Sequence, residues 1–297
     1  MYVQRSVNAP RAAELQRGGL VPFLRACWAS AWLEYRNLRY YPTNLVLSAV
    51  QEITTVGVWF FVARFLRSAA DASVAQYGGN YLAFVVLGVL LNQVALAALT
   101  GPFEMISDAF WDKRLETYRL SIHGIWANVV GRLGWRVAFS TILQLGALVI
   151  LIALGAIHIH AGVHLGLALL AYLLLIVANA GLGIAGASLF FLLEVKNGSD
   201  PITWAYKYLV MLAAGLYVPV ELLPYWLRTV GTALPQTYAF AAERTIVLTG
   251  AGWSAGHVGH DIIGLAIGAV LALGVGVGML SLALHRAEQR GGIGVVV

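Results

Sequence analysis

Residues 213–250 read AAGLYVPVELLPYWLRTVGTALPQTYAFAAERTIVLTG. The stretch opens as the end of an apolar run and then breaks into a proline-punctuated, aromatic segment. Pro219, Pro224 and Pro235 interrupt any continuous helix, because proline lacks the amide donor and clashes with the preceding turn. Between and after them come Leu222, Leu223, Tyr225, Trp226, Leu227, Tyr238 and Phe240, while the charges are confined to Glu221, Arg228, Glu243 and Arg244. That mixture predicts short helices at the outer boundary of a bilayer, dipping in without crossing it.

Composition agrees with a membrane setting. Of 297 residues, 60% are hydrophobic and 11% charged, and mean hydropathy is +0.77. Soluble globular domains carry roughly a quarter charged residues. The one cysteine, Cys27, forms no internal disulfide and gives no metal-ligand spacing. The first twenty residues are polar and basic, which argues against a cleaved secretory leader.

A hydrocarbon core of about 30 Å needs roughly twenty apolar residues in a helix. Six segments qualify: residues 43–66, 81–103, 137–157, 164–193, 202–220 and 262–284. The fourth is long enough to expect tilt or a kink at its glycines. The expected fold is therefore an all-α integral membrane protein, with a membrane domain over 41–284. Fifteen of the lysines and arginines fall on one side of these spans and four (Arg64, Arg67, Arg228, Arg244) on the other. The positive-inside bias puts both termini, tails 1–19 and 285–297, in the cytoplasm. It also accounts for the net charge of +5 without nucleic acid. Residues 20–40 place Leu24, Cys27, Trp28, Ala31, Trp32, Tyr35 and Leu38 at helical spacing, with Arg25 and Arg36 on another face. This predicts an amphipathic helix in the cytoplasmic headgroup layer before the chain turns at Pro42.

Polar groups inside the spans are costly unless they face protein or water. Gln51, Glu52, Asn92, Gln93, Gln144 and Asn179 are such groups. Glu52 is the one acid deep in a span. Either it lines a translocation route, where it favours cationic amphiphiles, or it bonds a neighbouring helix through Gln51, Asn92 or Gln144. Lys207 is shallow enough to snorkel to the headgroups. Gly264 and Gly268 form a small-residue pair that permits close helix contact, within the chain or across a dimer. Residues 181–186 read GLGIAG, but no strand precedes them, so a dinucleotide site is rejected. His158, His160 and His164 lack a cysteine or carboxylate companion and are read as a loop, with no metal expected. His257, His260 and Asp261 are the nearest thing to an acid–base cluster, and a membrane hydrolase or acyltransferase built on them is the minor enzymatic reading. No other catalytic motif is present, so the chain is not expected to be an enzyme.

An interfacial basic helix, six spans, a charged loop after the second and a proline-broken hairpin before the sixth form a distinctive order. It resembles the ABC-2 type permeases, the membrane subunits of type V-fold ATP-binding-cassette exporters. The residues that carry the resemblance are Gly215, Pro219, Leu223, Pro224, Trp226, Pro235, Tyr238 and Arg244. A second, weaker match is WDKRLETYRLS at 111–121, which keeps the charge character of the family's E-R-x-x-G-T-L-E stretch but lacks its Gly-Thr step.

The resemblance implies a permease forming the substrate pathway as a homodimer, driven by two copies of a separate ABC ATPase. The chain contains no G-x-x-x-x-G-K-[ST] phosphate loop, so ATP and Mg belong to that partner and no cofactor is expected here. Coupling to the ATPase falls to a loop at 104–124, through Ile106, Phe110, Trp111, Asp112, Lys113, Arg114 and Glu116. The pairs Lys113/Glu116 and Glu116/Arg119 support a short helix there. Pathway candidates are Gln51, Glu52, Asn92 and Gln93. The outer re-entrant segment 221–249 and its approach supply a gate: Pro219, Leu223, Pro224, Trp226, Pro235 and Tyr238. The implied location is a bacterial or archaeal inner membrane, among lipids, and the implied cargo a drug-like, lipid or other amphipathic compound. A lipid-linked glycan is the alternative cargo; an ion-coupled secondary transporter is the alternative of a different class.

Overall fold

The computed structural model describes residues 19–120, 124–160, 162, 164–192 and 200–289. The tail at 1–18, Lys196 and Arg290 lie outside the described residues. Among the described residues ten α-helices follow one another: α1 (Leu20–Tyr40), α2 (Pro42–Ala70), α3 (Tyr81–Trp111), α4 (Leu115–Leu120), α5 (Gly124–Ala153), α6 (Leu165–Leu192), α7 (Pro201–Ala213), α8 (Tyr225–Thr232), α9 (Pro235–Thr249) and α10 (Val258–Gln289). A 3-10 stretch kinked at Val74 occupies Asp71–Tyr77, and a single 3-10 turn Val220–Leu222. Among the described residues there is no strand. Five helices, α2, α3, α5, α6 and α10, are long and apolar enough to cross a bilayer. The chain is an all-helical, multi-pass membrane protein.

Helix α6 is the centre of the bundle. Its GLGIAG stretch supplies close approach in three directions, and the helix runs through it unbroken. A Cβ on Gly181 would lie 2.4 Å from the Leu273 backbone, one on Gly183 2.2 Å from the Leu99 carbonyl, and one on Gly186 2.3 Å from Asp200. Only glycine lets α10, α3 and the start of α7 come this near. Pairing of Gly181 with Ala272 and Gly276, and of Ala185 with Gly276, makes α6 and α10 parallel neighbours. Leu99 against Gly183 and Phe103 against Phe190 make α3 parallel to α6 as well. Helix α5 is antiparallel to α3, with Arg132 beside Asp108 and Arg136 beside Glu104.

Three expectations are corrected. The helix expected over 202–220 ends at Ala213, after 13 residues. Gly215 turns into the left-handed region at φ +77°, where a side chain is disfavoured, and Pro219 cannot continue a helix. The start of α7 is well defined: Asp200 caps it, its carboxylate accepting from Thr203 N–H at 2.7 Å. Second, the spans expected over 81–103 and 137–157 have other bounds: α3 continues to Trp111 and α5 begins at Gly124, with the short α4 between them. Met105, Ile106, Ala109, Leu115, Ile125 and Val129 form one core with Ile184, Phe190 and Leu280. That apolar face keeps both helices folded beyond the stretch an unbroken hydropathy run would reach.

Third, α1 is more than a surface helix. It packs on α5, with Cys27 buried and a Cβ on Gly131 placed 2.2 Å from the Cys27 carbonyl. Ser30 Oγ bonds Asn128 Oδ1 at 3.0 Å, and Tyr35 meets Trp135 edge-on. Leu24, Trp28 and Trp32 stay exposed on the far side, so the expected apolar stripe is divided between α5 and the surroundings.

Candidate functional site

Polar residues on three long helices converge on one cleft of about 570 Å³. Helix α2 contributes Ser48, Gln51 and Glu52; α3 contributes Gln93, Thr100, Glu104 and Asp108; α5 contributes Arg132, Arg136 and Ser140. Each set recurs at helical spacing, so each lies on one face of its helix. Glu34 of α1 and Lys207 of α7 complete the charged wall, and Leu96, Leu133, Trp135, Phe139 and Leu143 provide apolar wall beside it.

Most of these charges are mutually neutralised. Arg132 pairs with Glu34 at 2.5 Å and with Asp108 at 3.5 Å. Arg136 pairs with Glu104 and donates to Thr100 Oγ1 at 3.2 Å. Glu52 is 9% exposed. Its Oε2 accepts from Gln93 Nε2 at 3.3 Å, and its Oε1 has no hydrogen-bond partner among the described residues. Two of the expected pathway residues are thus brought together, with Gln51 exposed on the same wall. None of the three partners foreseen for Glu52 takes that role. Asn92 and Gln144 are buried elsewhere, each with an unpartnered carbonyl oxygen among the described residues.

The second feature is a buried arginine. Arg244 on α9 is 2% exposed. Its Nε donates to the Phe84 carbonyl at 3.0 Å, Nη1 to Gly215 at 2.6 Å and Nη2 to Leu216 at 2.7 Å. Its guanidinium carbon stands 3.5 Å over the Phe84 ring, a cation–π contact. A charge out of water is tolerated only when its donors are engaged; here two of the three acceptors, the Gly215 and Leu216 carbonyls, are ones that the break after α7 has freed. Tyr81 Oη donates to the next carbonyl, of Tyr217, at 3.2 Å. The clamp therefore ties α3, the end of α7 and α9 into one unit.

Beside the clamp is a second cavity of about 390 Å³, lined by Tyr77, Pro219, Glu221, Arg228, Tyr238, His257, His260 and Asp261. Burial pushes the Tyr77 phenol up to about 12, with Glu221 adding to the shift, so it stays a neutral hydroxyl. His260 Nδ1 lies 3.4 Å from Asp261 Oδ1. Of the expected gate residues, Pro219 and Tyr238 line this cavity. Leu223 packs on the main core, and Pro224 and Trp226 are exposed on α8. Pro235 begins α9 against Gly268, and the Tyr238 ring lies on Gly264. The Gly264/Gly268 pair thus serves contact within the chain.

Between α3 and α4 is the third region. Lys113 holds φ +57°, its N–H bonds Phe110 and the Arg114 N–H bonds Ala109, a left-handed helix stop. Arg114 pairs with Asp112, whose carboxylate holds the guanidinium above its ordinary range. Ile106 is wholly buried in the core, so it offers nothing to an outer surface; Trp111 is 58% exposed. The Glu116 and Arg119 side chains lie outside the description, and with them the pairs expected there. His160 and His164 pack against Gly250 and Gly252.

No protein-family model matches this chain, and no curated protein sequence does.

Proposed function

We propose that the chain is the permease subunit of an ATP-binding-cassette exporter of the ABC-2 type. It works as a homodimer, is driven by a separate ATPase and moves an amphipathic compound out across a bacterial or archaeal inner membrane. The observation that carries this reading is the broken helix and its clamp. Gly215, Pro219, Pro235, Tyr238 and Arg244, which carry the resemblance, are also the residues that end α7, line the outer cavity and fasten α9 to α3.

The same segment supports a sixth crossing. Helices α6 and α10 run side by side in one direction, so the chain between them must return across the layer they span. Helix α7 makes that return: Asp200 at its start lies against Gly186, and Leu216 just past its end lies against Gly88, near the first turns of α3. Its 13 residues rise about 20 Å, and the irregular 214–219 stretch supplies the remainder. Backbone broken at this depth is tolerated where protein satisfies it, which Arg244 and Tyr81 do. Pro235, against Gly268, is ten residues inside α10, so α8 and α9 form a re-entrant hairpin on the outer side.

With both termini cytoplasmic, the α3–α4 turn faces the ATPase, presenting Trp111, Asp112, Lys113 and Arg114. The cleft between α2, α3 and α5 opens toward the same side and supplies the substrate route. Tagged and purified from its native membrane, the chain should bring with it a polypeptide containing a G-x-x-x-x-G-K-[ST] loop, and alone it should hydrolyse no ATP. Replacing Lys113, Arg114 and Glu116 together should abolish ATP-driven export while leaving membrane insertion intact. Export driven by a proton or sodium gradient without nucleotide contradicts the proposal.

A further inference from the structure

We infer that the cleft between α2, α3 and α5 is a binding site for a cationic amphiphile, with Glu52 as the group that recognises the positive charge. The inference rests on the transport reading for its purpose but on the cleft alone for its chemistry. Glu52 is ten residues along α2 from Pro42, about 15 Å in from that end. A carboxylate held there, 9% exposed, sits where an unpaired charge is costly.

Every other acid on the cleft wall has a cation. Glu34 and Asp108 share Arg132, and Glu104 holds Arg136. Lys207, the third cation of the wall, is exposed and is not within ion-pair distance of Glu52 among the described contacts. Glu52 is left with one neutral donor, Gln93 at 3.3 Å. Its Oε1 is buried, and among the described residues nothing donates to it. A bound organic cation supplies the charge that the wall leaves uncompensated, and a protonated amine would add a donor as well. Leu96, Phe139 and Leu143, on the same wall, receive the apolar body, and the face of Trp135 suits a cation by its quadrupole. An anionic amphiphile meets the same greasy wall but a repelling Glu52.

The test is equilibrium binding of radiolabelled tetraphenylphosphonium to the full-length purified chain in nanodiscs, without nucleotide or partner. Tetraphenylborate, of similar shape and opposite charge, is the comparison. Saturable binding of the cation should weaken at least tenfold in Glu52→Gln and stay within about threefold of the parent in Glu52→Asp, with the anion binding at background. Should Glu52→Gln lose its monodisperse profile, Lys207→Gln takes its place: removing the competing positive charge should tighten cation binding about threefold. Unchanged cation binding in Glu52→Gln, equal binding of the two ions, or no effect of Lys207→Gln would overturn the inference. Because no ATPase is present, failure here leaves the coupling proposal standing, and failure of coupling leaves this binding result standing.

Discussion

Arg244 brings a full positive charge into the interior, 2% exposed, and spends its donors on three backbone carbonyls from two other parts of the chain. Removing the side chain takes its donor from each of these carbonyls, of which Gly215 and Leu216 lie outside any helix, and hydrogen bonds to charged groups each contribute about 1.5–3 kcal/mol. Arg244→Ala should therefore lower unfolding free energy in detergent by about 3 kcal/mol or more. Arg244→Lys should recover little, because a point charge cannot serve a planar fork. Gly88→Ala places a Cβ 2.1 Å from Arg244 Nη2 and 3.0 Å from the Leu216 carbonyl, so it should damage the same clamp. Its cost should be less than additive with Arg244→Ala, and strict additivity in denaturation midpoints would contradict the clamp. The arginine is legible in sequence as one of four charges in 213–250. Its partners are not, because a carbonyl carries no residue identity. Glu52 is similar: an acid among apolar residues announces itself, while its choice of Gln93 over Asn92 depends on helix rotation that a single sequence leaves free.

Among elements, the long apolar runs locate α2, α6, α10 and the start of α3 to within a few residues, since twenty-residue hydrophobicity is set by the bilayer itself. The ends of α3 and α5 are harder to see. Glu104, Asp108, Arg132 and Arg136 look like loop charges, yet they form ion pairs along helices whose other face is core. Helix α7 misleads the other way: hydropathy continues through Leu216–Val218 while the left-handed Gly215 has already stopped the helix. Gly264 and Gly268 of α10 foretell close contact without naming its partner, which is the start of α9. Gly268→Val drives a branched side chain into Pro235, where even a Cβ would lie 2.8 Å from Pro235 Cγ. It should destabilise the hairpin by about 1–3 kcal/mol, whereas Gly274→Val, with nothing within 4 Å, should be neutral. Equal midpoints for the two variants in a thermal melt would contradict the seating of α9 on α10.

At the scale of the whole molecule, five long helices alone would put the two termini on opposite faces, whereas the proposed sixth passage through α7 would put them on the same face. On that proposal the α3–α4 turn, helix α1 and the cleft mouth would share one side, where the proposed ATPase would reach all three. That arrangement is measured by labelling single cysteines with an impermeant maleimide in sealed cells, in a Cys27→Ala background. Ser254→Cys should react from outside, while Ser6→Cys and Ala287→Cys should both react only after the membrane is opened. Labelling of positions 6 and 287 from opposite sides would mean five crossings and would contradict the account at its centre.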